Sequence, residues 1–200
     1  MKIYSHKACR RYGVKLCQSD KCPVFTRKYP PGIHGPKSRG RKTEYGLQLA
    51  EKQKAKATYN IAENQFKRYY QQAIKQRGDT SQILPQLLEL RLDNVVYRLG
   101  LAKTRPQARQ LVNHGFFLVN DKKVNIPSYQ VSVKDEITIK PQKVSAKIFA
   151  DLDKSLEKHQ TPSWLNFNPT EKKAKIISRP LADEVEQTYN PKLVVEFYSK

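Results

Sequence analysis

Acidic residues are scarce in this chain: 18 Asp and Glu stand against 38 Lys and Arg, a formal net charge of +20. Self-repulsion on that scale burdens a free protein and favours association with a polyanion, where counterion release adds to affinity. Apolar residues are also few, at 38% with a mean hydropathy of −0.74, so much of the surface is solvated or bound to something polar. No apolar run approaches the roughly 20 residues that a bilayer span requires. The opening MKIYSHKACRR lacks the apolar core of a signal peptide. An anionic membrane surface is the rival partner, but only one Trp is present and no basic amphipathic helix with bulky apolar residues opposite its charges stands out. The expectation is a cytoplasmic protein that binds nucleic acid and not a membrane.

Cysteine is sparser still, at three residues. Cys9, Cys17 and Cys22 are too few and too local for a disulfide framework, which leaves metal or free thiols. His6-x2-Cys9 and Cys17-x4-Cys22 are two close pairs separated by seven residues, a pattern able to close a tetrahedral N/S site on a structural zinc ion. A catalytic zinc is not expected, because no fourth position is left open and no Glu lies nearby as a base. Other catalytic signatures are missing too. The chain has no G-x4-G-K-[ST] phosphate loop, no G-x-S-x-G elbow and no H-E-x-x-H. There is also no small-molecule pocket motif to suggest a substrate.

Two hundred residues suit one or two modest domains. Residues 1–43 hold twelve Lys or Arg against one acid, Asp20, and KYPPGIHGPKSRGRK is dominated by Pro, Gly and bases. This reads as a basic arm with no core of its own, ordered by metal and RNA; the plain alternative is a solvated tail. YGLQLAEKQKAKATYN is a basic helix, and Phe66, Tyr69, Tyr70, Ala73 and Ile74 make an apolar face at helical spacing before Gly78. That spacing assigns Phe66 and Tyr70 to a core rather than to base stacking.

Leu88, Leu92, Val95, Val96 and Leu99 then recur as one apolar stripe, predicting a helix that Gly100 stops. A second helix opens at Thr104-Arg105-Pro106-Gln107, where Thr and Gln three apart can cap it, and closes at Gly115. Ala108, Leu111 and Val112 face inward. Arg105, Arg109 and Asn113 lie opposite at i, i+4 and i+8, beside Arg91, Asn94 and Arg98 of the preceding helix, a small basic and amide-rich surface. LVNDKKVNI alternates and turns at Asn120-Asp121, and residues 136–140 alternate as a half-buried strand. Residues 146–159 read as another helix, with Phe149, Leu152 and Leu156 on one face. From Thr161 the tail mixes short strands with Pro, Asn and Lys.

RLDNVVYRLG from Arg91, TRPQARQLVNHG from Thr104 and LVNDKKVNIPSYQV from Leu118 closely resemble the RNA-binding module of the fourth protein of the bacterial small ribosomal subunit. The same family's RKYPPGIHG, YGLQLAEKQK, P-x-WL and VVEFYSK segments resemble residues 27–35, 45–54, 162–165 and 194–200, so the likeness spans essentially the whole chain. It implies an α+β fold: a helical domain over 44–90 completed by 183–200, a zinc-knuckle-like basic arm over 1–43, and an inserted RNA-binding module of two helices and β-hairpins (α-L type) over 91–182. By resemblance the protein is a non-enzymatic structural constituent of the small subunit. It would bind 16S ribosomal RNA early, at a multi-helix junction of the 5′ domain, and lie beside the third and fifth proteins of the subunit, where messenger RNA enters and accuracy is set.

Arg91, Arg98, Arg105, Arg109, Asn113 and His114 of the module, with His34 of the arm, are the implied ribosomal RNA contacts. Lys37, Arg39, Arg41 and Lys42 are the implied messenger contacts. Many members hold zinc where this chain has His6, Cys9, Cys17 and Cys22, although His6 replaces a cysteine and the connecting loop is shorter. Further departures are Phe116 for a common His, Pro106 for a common Arg and Asp121 near a usual Gly. Two other RNA-related readings are weaker. Arg91-Leu92-Asp93 matches the R-L-D of RNA pseudouridine synthases, yet only sixty residues follow Lys140, too few for their catalytic domain. Stand-alone RNA-binding factors with this module tend to be shorter and lack the arm.

Overall fold

Thr43 starts the first long helix because its hydroxyl accepts the Gly46 N–H, satisfying one of the amides that a helix start leaves open. That helix and its partners are seen in a computed structural model that describes residues 6–17, 19–37, 43–143, 149, 156, 159–168, 172–181, 183–185 and 188–199. The chain divides into two units: Met1–Leu84 with Glu186–Lys200, and Pro85–Val185.

The first unit holds α1 (His6–Tyr12), α2 (Glu44–Tyr59), α3 (Glu63–Lys75) and the late helix α7 (Pro191–Ser199). Asn60, in the left-handed conformation at φ 52°, stops α2, a role a short amide side chain tolerates. Phe66, Tyr69, Tyr70 and Ala73 of α3 are buried with Ala55, Tyr59 and Val194, as the stripe on α3 predicts. Ile74, expected on that stripe, is exposed one residue before α3 ends. Residues read as part of a strand-bearing tail are here a helix: α7 lays Tyr198 over Tyr70 at 4.8 Å and Phe197 beside Tyr45 at 5.5 Å.

A polar clamp closes the same packing. Glu63 accepts from Lys52 at 3.0 Å, Lys56 at 2.6 Å and the Tyr198 hydroxyl at 2.7 Å, while Lys52 also lies over the Phe197 ring at 4.3 Å. Burial opposes ionisation of Glu63, but the bonds from Lys56, Tyr198 and Lys52 outweigh it and hold the carboxyl at about 2. The same burial, reinforced by Glu63, pushes the Tyr198 phenol up.

The single helix expected over 88–99 is two, and the boundary between the units, at Leu84–Pro85, falls inside the first of them. α4 (Thr80–Glu89), capped by Asp79 accepting the Ser81 N–H, ends where α5 (Leu92–Arg98) has not begun. The break arises because Leu90–Leu92 pairs with an extended segment: the Val131 N–H donates to Leu90, the Leu92 N–H to Tyr129, and Arg91 bridges Gln130. Tertiary pairing overrides the apolar periodicity there. Gly100 then turns at φ 75°, and α6 (Arg105–Asn113) opens with Thr104 accepting the Gln107 N–H. The Gln107 side chain reciprocates one residue earlier than expected, accepting the Lys103 N–H.

Among the described residues, five antiparallel strands follow in spatial order β2-β1-β3-β5-β4, with β1 Phe117–Val119, β2 Lys122–Lys123, β3 Glu136–Ile139, β4 Leu165–Asn168 and β5 Lys173–Ile176. Asn120 and Asp121 both take positive φ at the β1–β2 turn, as their placement predicts. Val95, Val96, Leu99, Leu111, Val112, Phe117, Ile137, Trp164 and Ile176 join helices and sheet in one core. Phe116 packs edge-on against Phe149 at 5.9 Å. The helix expected over 146–159 falls mostly outside the described residues.

The Glu63 clamp sets an acid limit. Its folded value is depressed below the usual 4.5, so its stabilisation is fully present above about pH 4.5 and is lost as pH falls towards 2. Hydrogen exchange of α3 amides is expected to show Glu63→Gln less protected at pH 7 by about 1 kcal/mol, a figure discounted for solvent screening, and equal to wild type near pH 2.

Candidate RNA interface and metal cluster

The corner between α4, α5 and α6 gathers four arginines around two acids. Arg91, only 1% exposed, makes a bidentate pair with Asp93, Nε to Oδ1 at 3.0 Å and Nη2 to Oδ2 at 2.7 Å. Arg98 makes another with the fully buried Glu89, Nε to Oε2 at 2.9 Å and Nη2 to Oε1 at 2.8 Å. Breaking a pair of this kind from one side typically costs about 3–5 kcal/mol, so both arginines hold the fold together whatever else they touch. Asp93 is thereby a paired carboxylate in the first turn of α5, not an open nucleophile.

Arg105, Arg109, Asn113 and His114 lie further out, along α6 and its C-cap. Arg105 donates from Nε to Asn94 Oδ1 at 2.8 Å and stacks on Tyr97 at 4.5 Å. Arg109 keeps 39% of its side chain exposed, with Asp93 at 3.8 Å. Asn113 and His114 are exposed. The six module residues expected at the RNA surface are thus brought together, but in two layers. Sequence reasoning passed over Glu89; an acid set inside Leu-Leu-Glu-Leu was the available sign of a buried partner.

The arm has its own geometry. α1 carries His6 and Cys9, Gly13 turns at φ 69°, and the following loop returns Cys17 and Cys22. The ligand atoms of His6, Cys17 and Cys22 all lie within 4.8 Å of one another, with His6 Nδ1 and Cys17 Sγ at 3.6 Å. Cys9 is not in that mutually close set; its buried sulfur accepts the Leu16 N–H at 3.3 Å. Burial works against ionisation of Cys22, but the Val24 N–H, His6 and the other two thiols outweigh it and bring the thiol to about 7. Burial, then bonds to Cys22 and Cys9, push Cys17 up to about 11. Ligands of one tetrahedral ion with arms of about 2.0–2.3 Å sit about 3.5 Å apart, so this N/S donor set fits zinc after a small contraction.

Arg10, next to Cys9, grips the following loop through the Tyr29 and Pro30 carbonyls at 3.2 and 3.1 Å, and lies over the Tyr29 ring. That loop presents His34 exposed, and Gly35 sits where any Cβ would strike the Pro30 carbonyl. Lys37 is exposed; Arg39, Arg41 and Lys42 lie outside the described residues.

Comparison with known families places two matches end to end. The family described as "Ribosomal protein S4/S9 N-terminal domain" matches residues 2–89, and the "S4 domain" matches 90–137. The chain belongs to the ribosomal protein S4 family. It is similar to small ribosomal subunit protein uS4 of Koribacter versatilis, 48% identical over 201 residues, covering 97% of this chain and 96% of that protein. A small ribosomal subunit protein uS4A of Clostridium botulinum is 48% identical over 203 residues with the same coverage, and the uS4 protein of Roseiflexus castenholzii is 45% identical over 197. This is a family of structural ribosomal proteins, not of enzymes. The S4 domain takes in α5, α6, β1 and β2, so its first residue, Leu90, directly follows the acid that anchors Arg98.

Proposed function

We propose that this chain is a structural constituent of the small ribosomal subunit that binds 16S ribosomal RNA directly, early in assembly, at a multi-helix junction of the 5′ domain. The observation that carries the reading is the row of Arg105, Arg109, Asn113 and His114 along α6, on a chain of net charge +20 in a ribosomal protein family. Junctions concentrate phosphate, and structured RNA is read largely by shape and backbone contacts, for which rigidly mounted guanidinium groups suit well. Arg98 and Arg91 serve this surface from beneath, and His34 of the arm is a further contact. Arg105→Ala combined with Arg109→Ala is expected to weaken binding to a 5′-domain transcript and to flatten its salt dependence by about one to two slope units, about one per lost phosphate contact. A salt titration with unchanged slope removes these residues from the interface.

The arm completes the reading with a structural zinc ion held by His6, Cys17, Cys22 and, after a modest shift, Cys9. Since few of the arm's described side chains are buried, the metal would supply folding free energy there and do no chemistry. Elemental analysis of protein purified without chelators is expected to find one zinc per chain, lost on Cys17→Ser with Cys22→Ser, while α6 still binds RNA. Metal-free wild type sinks the zinc assignment.

Lys37, Arg39, Arg41 and Lys42 extend the reading to the path by which messenger reaches the subunit, beside the third and fifth proteins in the cytoplasmic ribosome, and to translational accuracy. Cations on a segment rich in glycine and bases grip moving phosphates without sequence preference. Replacing all four by Ala is expected to slow translation of a messenger with a stable hairpin while sparing an unstructured one. Equal slowing of both, or failed subunit assembly, returns these residues to ribosomal RNA.

A further inference from the structure

Asn94 occupies an unusual place for an amide. It is 2% exposed, it stands between a fully buried acid and a half-buried arginine, and both ends of its side chain are used. Nδ2 donates to Glu89 Oε2 at 2.7 Å and to the Glu89 carbonyl at 3.0 Å. Two acceptors on that side leave one orientation for the amide, since Oδ1 turned towards them would meet only oxygen. Oδ1 therefore faces α6, where it accepts from Arg105 Nε at 2.8 Å.

Glu89 is fixed in turn. Arg98 spans both of its oxygens, which neutralises an acid that would otherwise repel phosphate, and Asn94 donates to the Oε2 that Arg98 Nε also meets. From the opposite side Tyr97 places its ring under the Arg105 guanidinium at 4.5 Å. The plane of Arg105 is thus set by a hydrogen bond at one edge and a ring at one face. An arginine held this way loses little rotamer freedom when it meets a ligand, whereas an unsupported one loses a great deal.

We propose that Asn94, oriented by Glu89 and assisted by Tyr97, is a positioning residue that presets Arg105 for RNA. The proposal rests on the reading of α6 as an RNA contact and adds a set of residues that never touch the RNA themselves. It reverses a sign that charge alone would give. Removing the Glu89 charge from a protein that binds a polyanion should tighten binding if only net charge mattered; removing it here takes away the charged one of the two acceptors that orient Asn94, and weakens binding.

The experiment is a mutant cycle read by affinity and salt slope on a 5′-domain ribosomal RNA transcript, using full-length chains whose folding is checked by circular dichroism. Asn94→Ala is expected to lose about tenfold in affinity and about one unit of salt slope, the scale of one good arginine contact. In an Arg105→Ala background the same change is expected to lose nothing more. Glu89→Gln is expected to weaken binding. Tyr97→Leu keeps an apolar side chain against the core and leaves the buried acid layer alone, so it reads the same effect should Asn94→Ala fail to fold. Additive losses from Asn94 and Arg105, unchanged binding on Asn94→Ala or Tyr97→Leu, or tighter binding on Glu89→Gln each overturn the proposal while Arg105→Ala still weakens binding. If Arg105→Ala has no effect, the RNA reading of α6 falls and the proposal falls with it.

Discussion

Two buried carboxylates allow four arginines to share one corner. Without Glu89 and Asp93, Arg91 would be a buried charge and Arg98 a partly buried one lacking these carboxylate partners, a cost that adds to the self-repulsion of a protein already carrying +20. With them, Arg98 becomes a cross-brace between the end of α4 and α5, Arg91 closes onto the first turn of α5, and Arg105 of α6 is held against Asn94 above a neutralised layer. The segment 129–131 belongs to the same corner, because its pairing with Leu90 and Leu92 is what breaks the helix between Glu89 and Leu92. Fold and surface chemistry there are a single arrangement.

The arm solves the problem of folding without a core by different means. Cys9 and Cys22 are buried, and Arg10 ties α1 to the loop before His34 through two carbonyls and a ring. Cys9 and Arg10 are adjacent on one short helix, so whatever fixes the thiols also fixes the loop. The donor set and the loop are mechanically one piece, although the chemistry of each is distinct.

Much of this was legible from periodicity and turn chemistry. The α3 stripe, the Thr104 cap, the paired left-handed residues at Asn120 and Asp121 and the strand at 136–139 all follow from local rules that tertiary context left intact. The helix break at Leu90–Arg91 was not legible, because it is made by residues forty positions away. Nor was the burial of Arg91 or the partial burial of Arg98, which spacing alone places on an outer face; their carboxylate partners draw them inward. α7 escaped for the opposite reason, its β-branched and aromatic content fitting a strand as readily as a helix until Tyr70 and Lys52 supply a surface to pack on.

That late helix has a consequence for how the protein is made. Gln48 and Glu196 are hydrogen-bonded across 148 residues, and Tyr198 reaches Glu63 across 135. At ribosomal elongation rates of about 5–20 residues per second, α2 and α3 emerge roughly ten seconds before the helix that covers Phe66 and Tyr70. The unit Pro85–Val185 is contiguous and is synthesised within that interval. The middle of the chain can therefore fold first, while the older helices wait with an uncovered aromatic face, a window in which they are open to chaperones.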